Sequence, residues 1–182
     1  MRKLLLILAA LLFGSFAFGA DETEEPPIFE SELMGLGFRV FREPADAPDF
    51  ELEDLQGNKV SLASFEGKLV FLNFWATWCR PCRAEMPSMQ ALYESLGNES
   101  FEIVAINLRE SRNLVQEFVD EFEFTFPVLL DTSGQVWASY GPRNIPTSYL
   151  IGPDGKAIGF MIGSRTWEDP EVESLFRELT AR

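Results

Sequence analysis

From Lys68 onward, blocks of unbroken apolar residues alternate with blocks in which apolar residues recur every three or four positions. Leu69 to Trp75 has the length and composition of a strand buried on both faces. In the segment that follows, starting near Cys79, Met86, Met89, Leu92, Tyr93 and Leu96 share one helical face, and Gly97 is a natural stop. Phe101 to Leu108 predicts a second strand, and Ser111 to Phe122 a second helix with Leu114, Val115, Phe118 and Phe122 inward. Phe126 to Asp131 predicts a short strand and Gly134 to Tyr140 a short helix; Pro146 then introduces a strand over Thr147 to Ile151. The turn Pro153-Asp154-Gly155 returns the chain antiparallel as Ala157 to Ile162. A last helix is capped by Asp169, has Pro170 at its first position, and turns Val172, Leu175, Phe176 and Leu179 inward. Strand, helix, strand, helix and a terminal hairpin imply a mixed sheet with a parallel core, flanked by helices, in the α/β class.

Upstream of this unit the pattern is weaker. Phe50 to Leu55 and Lys59 to Leu62 flank Gln56-Gly57-Asn58, which predicts an N-terminal β-hairpin closed by a glycine turn. Residues 21–45 open with the acidic, proline-containing DETEEPP and show only a brief alternation around Phe38 to Arg42, so they read as an acidic linker with at most one edge strand. Before them, Arg2 and Lys3 precede an apolar run and then small residues including Ala17, Gly19 and Ala20. This is the pattern of an export signal, with cleavage favoured after Gly19; the alternative is an uncleaved membrane anchor formed by residues 4–20. The expected division is therefore 1–20 signal or anchor, 21–45 linker and 46–182 folded domain, with the body of the protein periplasmic or otherwise extracytoplasmic.

Composition narrows the chemistry. A hydrophobic fraction of 46% with 17 Phe and 4 Trp supports a packed interior in a chain of 182 residues. The formal charge is −14, and loss of the leader would leave 13 basic against 29 acidic residues, a formal −16. Such a field argues against nucleic acid as a partner. Two cysteines and no histidine cannot by themselves build a four-ligand zinc site, and histidine-assisted hydrolysis is excluded. No metal or cofactor is expected. Redox or structural work remains for the cysteine pair.

That pair is Cys79-Arg80-Pro81-Cys82, placed where the buried strand gives way to a helix. At that junction the first sulfur meets unpaired amide groups and the positive end of the helix dipole, which favour thiolate, and Arg80 acts in the same sense. Cys79 is thus the candidate attacking sulfur. Cys82, one turn later, can attack the mixed disulfide and resolve it. A purely structural staple is a poor alternative, since closing so short a loop removes chain entropy worth only about 2 kcal/mol. Trp75 and Trp78 either wall the sulfurs or pack in the core, and Pro87 is expected to kink the helix. Arg80 and Arg83 read either as a substrate patch or as exposed helix charges.

The segment LNFWATWCRPCRAEMP, with NIPTSYLIGPDG about seventy residues on, resembles the TlpA/ResA/CcmG group of thioredoxin-like proteins over roughly residues 46–182. The resemblance implies a thioredoxin-like fold with an inserted strand-helix unit before Pro146. It also implies an exported, often membrane-tethered reductant of protein disulfides, frequently serving cytochrome c maturation and recharged by a membrane thiol-disulfide electron donor. By the same resemblance, Pro146 is the cis proline facing the disulfide, Ile145 lends a backbone edge to substrate, and Glu85 handles the proton of Cys82. Asn73 stands where ordinary thioredoxins carry a buried Asp, which shifts that proton role to Glu85. Trp78, Arg80, Pro81, Ile145 and Pro146 are the candidate substrate contacts.

Two other functions deserve comparison. A peroxiredoxin-type thiol peroxidase would share the fold, but its peroxide-attacking cysteine needs a threonine- and proline-bearing loop that WATWCRPC does not reproduce. A non-enzymatic copper-delivery protein would need wider cysteine spacing and a histidine, which the chain lacks.

Overall fold

The structure, a computed structural model, describes residues 28–96 and 100–181. The export signal or anchor, its cleavage point and the helix stop at Gly97 lie outside the described residues. Among those described, no helix is long and apolar enough to cross a membrane.

The elements in chain order are α1 (Ile28–Gly35), β1 (Arg39–Asp46), β2 (Glu51–Asp54), β3 (Lys59–Ser61), a 3-10 turn (Leu62–Phe65), β4 (Leu69–Trp75) and α2 (Arg80–Leu96). They continue with β5 (Phe101–Leu108), α3 (Arg112–Phe122), β6 (Val128–Asp131), α4 (Gln135–Tyr140), β7 (Thr147–Ile151), β8 (Lys156–Ile162) and α5 (Pro170–Thr180). One sheet runs in the order β1-β8-β7-β4-β5-β6-β2-β3. β4, β5 and β6 are parallel, β7 lies antiparallel to β4, and β8 antiparallel to β7. This is the mixed α/β thioredoxin-like plan expected from the sequence, with β6 and α4 inserted before β7. The β2–β3 hairpin joins the sheet through β6.

β4 shows why its sequence does not alternate: every residue of it is buried. Leu69, Phe71 and Trp75 belong to the core beneath α2, α3 and α5, with Met86, Met89, Phe118, Trp167 and Phe176. Val70, Leu72 and Phe74 belong to a second core on the other face, with Phe50, Leu62, Phe65, Val136 and Tyr149. A strand covered on both faces has no polar positions to mark its period.

Two readings of the sequence are corrected. Residues 28–46, where the pattern predicts a linker with at most one edge strand, are folded: β1 is that edge strand, pairing antiparallel with β8, and the departure is α1, which buries Leu33. An edge strand with mostly exposed residues, whose register shifts between Val40 and Ala45 around Pro44, carries little periodic signal. In α3, Leu114 and Phe122 are exposed rather than inward, and Val115, Phe118 and Val119 form the buried face. Phe122 instead stacks on Phe124 at 5.7 Å under the guanidinium of Arg83. α2 passes through Pro87 and continues to Leu96. Asp169 caps α5 as expected, accepting from Glu171 N, and Val172, Leu175, Phe176 and Leu179 are buried.

Candidate active site

Cys79 immediately precedes α2, and Cys82 lies in its first turn. The two are bonded, with S–S 2.06 Å and Cα–Cα 5.3 Å. The amide of Cys82 donates to Cys79 Sγ at 3.2 Å, so the helix start directs an N–H at the first sulfur and not at the second. Cys79 retains 4% exposure and Cys82 none. In this oxidised form neither sulfur is charged; on reduction the amide and the helix dipole would face Cys79, and Cys82 would remain buried.

The loop before the cysteines is held from a distance. Thr77 donates through its amide (2.7 Å) and its hydroxyl (2.6 Å) to the two carboxylate oxygens of Glu110, and Asn107 Nδ2 donates to the same carboxylate at 2.8 Å. Arg109, with φ of 59°, turns the chain off β5 so that Glu110 can reach across. Nothing local in the sequence marks Glu110, which lies 33 residues from Thr77.

Beneath the cysteines, one turn along α2 from Cys82, Glu85 is 2% exposed. Its carboxylate accepts from Asn73 Nδ2 at 3.0 Å, from Trp167 Nε1 at 3.3 Å and from the Arg165 amide at 3.4 Å. Asn73 Nδ2 also donates to Ser148 Oγ at 3.0 Å, tying β4, α2 and β7 together. Burial disfavours the ionised form and pushes the Glu85 carboxyl from its ordinary 4.5 up to about 7; the hydrogen bonds from Asn73, Trp167 and Arg165 oppose that rise. Of these partners the sequence singled out only Asn73. Trp167 and Ser148 carry no motif and lie 82 and 75 residues from the groups they serve.

The pairing of Phe74 with Thr147 sets Pro146 beside the end of β4, next to the loop that carries Cys79. The Ile145–Pro146 peptide is cis. Gly163 N donates to Pro146 O at 2.9 Å, and Thr147 Oγ1 to Asn144 O at 2.6 Å, which fixes the turn. Pro146 is buried and Ile145 half-buried. Trp78, 68% exposed, and the exposed Arg80 and Pro81 stand on the surface around Cys79, whereas Trp75 is fully buried against Phe118. Arg83 lies over the rings of Phe118 and Phe122 at 5.4 and 5.9 Å.

A bonded Cys-x-x-Cys pair at a helix start, a cis proline at the neighbouring strand end and a thioredoxin-like sheet together define a thiol-disulfide oxidoreductase. Known proteins agree. The AhpC/TSA family profile matches residues 45–158. The thiol-disulfide oxidoreductase ResA of Geobacillus thermodenitrificans is 44% identical over 167 residues, covering 91% of this chain and 87% of the relative. ResA of Bacillus subtilis is 44% identical over 144 residues, covering 74% and 80%. Among solved structures, a thiol:disulfide interchange protein DsbE from Chlorobium tepidum superposes with TM-score 0.70 at 31% identity, covering 77% of this chain and 99% of that one. The chain belongs to the AhpC/TSA family and, within it, to the ResA group of thiol-disulfide oxidoreductases. It is an oxidoreductase that acts on disulfide-bearing substrates.

Proposed function

We propose that the chain works outside the cytoplasm as a reductant of protein disulfides, through Cys79 as attacking and Cys82 as resolving sulfur. The observation that carries this reading is the asymmetry of the pair: Cys79 Sγ accepts an amide at the helix start, and Cys82 and Glu85 are buried one and two turns below. In the reduced form the Cys79 thiolate attacks one sulfur of the substrate disulfide, and the other substrate sulfur leaves as thiolate. Ionised Glu85 then accepts the proton of Cys82. The resulting thiolate attacks Cys79 Sγ, breaks the mixed disulfide, releases the second substrate thiolate and leaves Cys79–Cys82 oxidised. Two electrons pass to the substrate. A donor dithiol, on this reading from a membrane thiol-disulfide partner, restores the pair.

Ile145 and Pro146 present backbone to an extended substrate segment, and Trp78, Arg80 and Pro81 contact its flanks. The leader pattern of residues 1–20 supports placement outside the cytoplasm, soluble after cleavage or tethered through residues 4–20. Likeness to the ResA group supports apocytochrome c as one substrate. Dithiol exchange is favoured over peroxide reduction because the two sulfurs are bonded to each other at the helix start. Replacing Cys79 by Ser should reduce turnover of a protein disulfide to the uncatalysed background, while Cys82→Ser should accumulate mixed disulfides with substrate. Full activity of the Cys79→Ser variant, or stable adducts through Cys82, would reverse the assignment.

A further inference from the structure

We infer that the redox face docks proteins whose reactive disulfide is flanked by Asp and Glu side chains, the opposite of what the overall charge suggests. The chain carries −14, yet the end of the sheet where β4, β5 and β6 finish and β7 begins is locally basic. Arg80, Arg83, Arg109 and Arg143 attach there, and among the described residues none of the four has an ion pair. Arg83 lies over two phenylalanine rings, and Arg109 lies against Gly134, where an added Cβ would fall 2.3 Å from its Nε. Arg80 and Arg143 project into solvent, Arg143 three residues before the cis proline.

The carboxylates at this end are mostly engaged. Glu85 is buried, and Glu110 holds Thr77 and Asn107. Asp131 is buried and accepts from Trp137 N and Ser133 Oγ; Asp169 caps α5 and pairs with Arg165. Glu168 is left exposed. Helix ends sharpen the contrast: α5 begins with Glu171 and Glu173 and ends with Arg177, as the dipole favours. α2 and α3 have no acid in the first turn and no base in the last, and open instead on Arg80 and Arg112. Arg112 recovers this cost by pairing with Glu53, but Arg80 has no ion-pair partner among the described residues.

Salt decides which charge a docking segment feels. At physiological ionic strength fields decay over about 8 Å, so Arg80 and Arg83 beside Cys79 count for more than carboxylates on the flanks and far end, and of the nearby acids the Glu110 carboxylate on Thr77 is the one that offsets them. Trp78, 68% exposed and next to Cys79 in the chain, supplies an apolar contact on this face. An acidic protein segment satisfies both. An anionic lipid surface fits less well, because the rest of this acidic molecule would be repelled by it.

This inference rests on the dithiol reading above, and the test separates the two. Three disulfide peptides, identical except for Asp/Glu, Ser or Lys/Arg beside the cysteines, are reduced by the full chain at low and high salt. The acidic peptide should be turned over about 10-fold faster than the basic one at low salt, with the ratio collapsing toward one at high salt. The Arg109→Glu/Arg143→Glu double variant should invert the order. Equal rates for all three, or an unchanged order in the variant, would overturn the acidic-partner assignment while leaving the dithiol chemistry standing. Failure to reduce even the Ser peptide would instead remove the redox reading beneath it. Arginine-dependent binding of the full chain to phosphatidylglycerol vesicles, with no preference among peptides, would assign the face to lipid and overturn the proposal.

Discussion

The two faces of the central strand do different work. On one, Leu69, Phe71 and Trp75 pack under α2, α3 and α5, but the row includes Asn73, which reaches Glu85, and the redox cysteines sit at its end. On the other, Val70, Leu72 and Phe74 meet an aromatic cluster in which Phe74 has Trp137, Tyr140 and Tyr149 within 5.4 to 6.1 Å. Within that cluster Tyr149 Oη donates to Tyr140 O at 2.8 Å, and the Tyr140 hydroxyl is buried. A carboxyl buried in the first face makes the ionised molecule less stable than packing alone would. One face supplies packing, and the other buries a carboxyl of raised pKa one turn along α2 from Cys82.

The largest change expected on the packing face is from Phe74→Ala, which should cost about 3–5 kcal/mol in chemical denaturation. Turnover per folded molecule should stay near wild type, because Phe74 points away from Glu85. A specific loss of turnover in the folded variant would break the division between faces.

On the chemical face, Glu85→Gln should stabilise the oxidised protein, and only at higher pH. The folded pKa of about 7 lies above the ordinary 4.5, so the folded state holds this proton more tightly than the unfolded one. The wild type therefore loses stability as pH rises from 4.5 through 7, by about 3 kcal/mol in all, and the Gln variant does not. Denaturation at pH 4 and pH 8 reads the difference; a gap that is the same at both would show that Glu85 does not titrate there. The same variant should slow resolution of the mixed disulfide.

Trp167→Phe gives the smallest expected shift. It removes one donor to the ionised carboxylate, worth about 1–2 kcal/mol, and should move the Glu85 inflection in the pH profile upward by about one unit. A lower Tm with an unmoved inflection would mean that Trp167 only packs, through its edge contact with Phe71 at 4.5 Å.

Much of this was legible along the chain. The both-face burial of β4, the inward face of α5, the cap at Asp169 and the placing of Cys79 at a helix start follow from patterns within a few residues. The resemblance carried by NIPTSYLIGPDG extended to the cis bond at Pro146. Where signals were weak, reading failed for a physical reason. β1 is an edge strand whose exposed residues and Pro44 mimic a linker, and Phe122 is apolar but is covered by Arg83 and Phe124 rather than by the core.

By itself the sequence determined the reacting atoms: two thiols three residues apart, no imidazole, and an arginine and a proline between them. It also determined the buried strand and the amphipathic helix that bring those thiols to one end of a sheet. Only the tertiary structure decided what surrounds them. Trp167 and Asn73 on Glu85, Ser148 on Asn73, Glu110 on Thr77, and the gathering of Arg80, Arg109 and Arg143 at one end of an acidic molecule all join residues far apart in the chain. Local periodicity records which face of an element is apolar; it does not record which distant element will cover it, and the proton affinity of Glu85 depends on that cover.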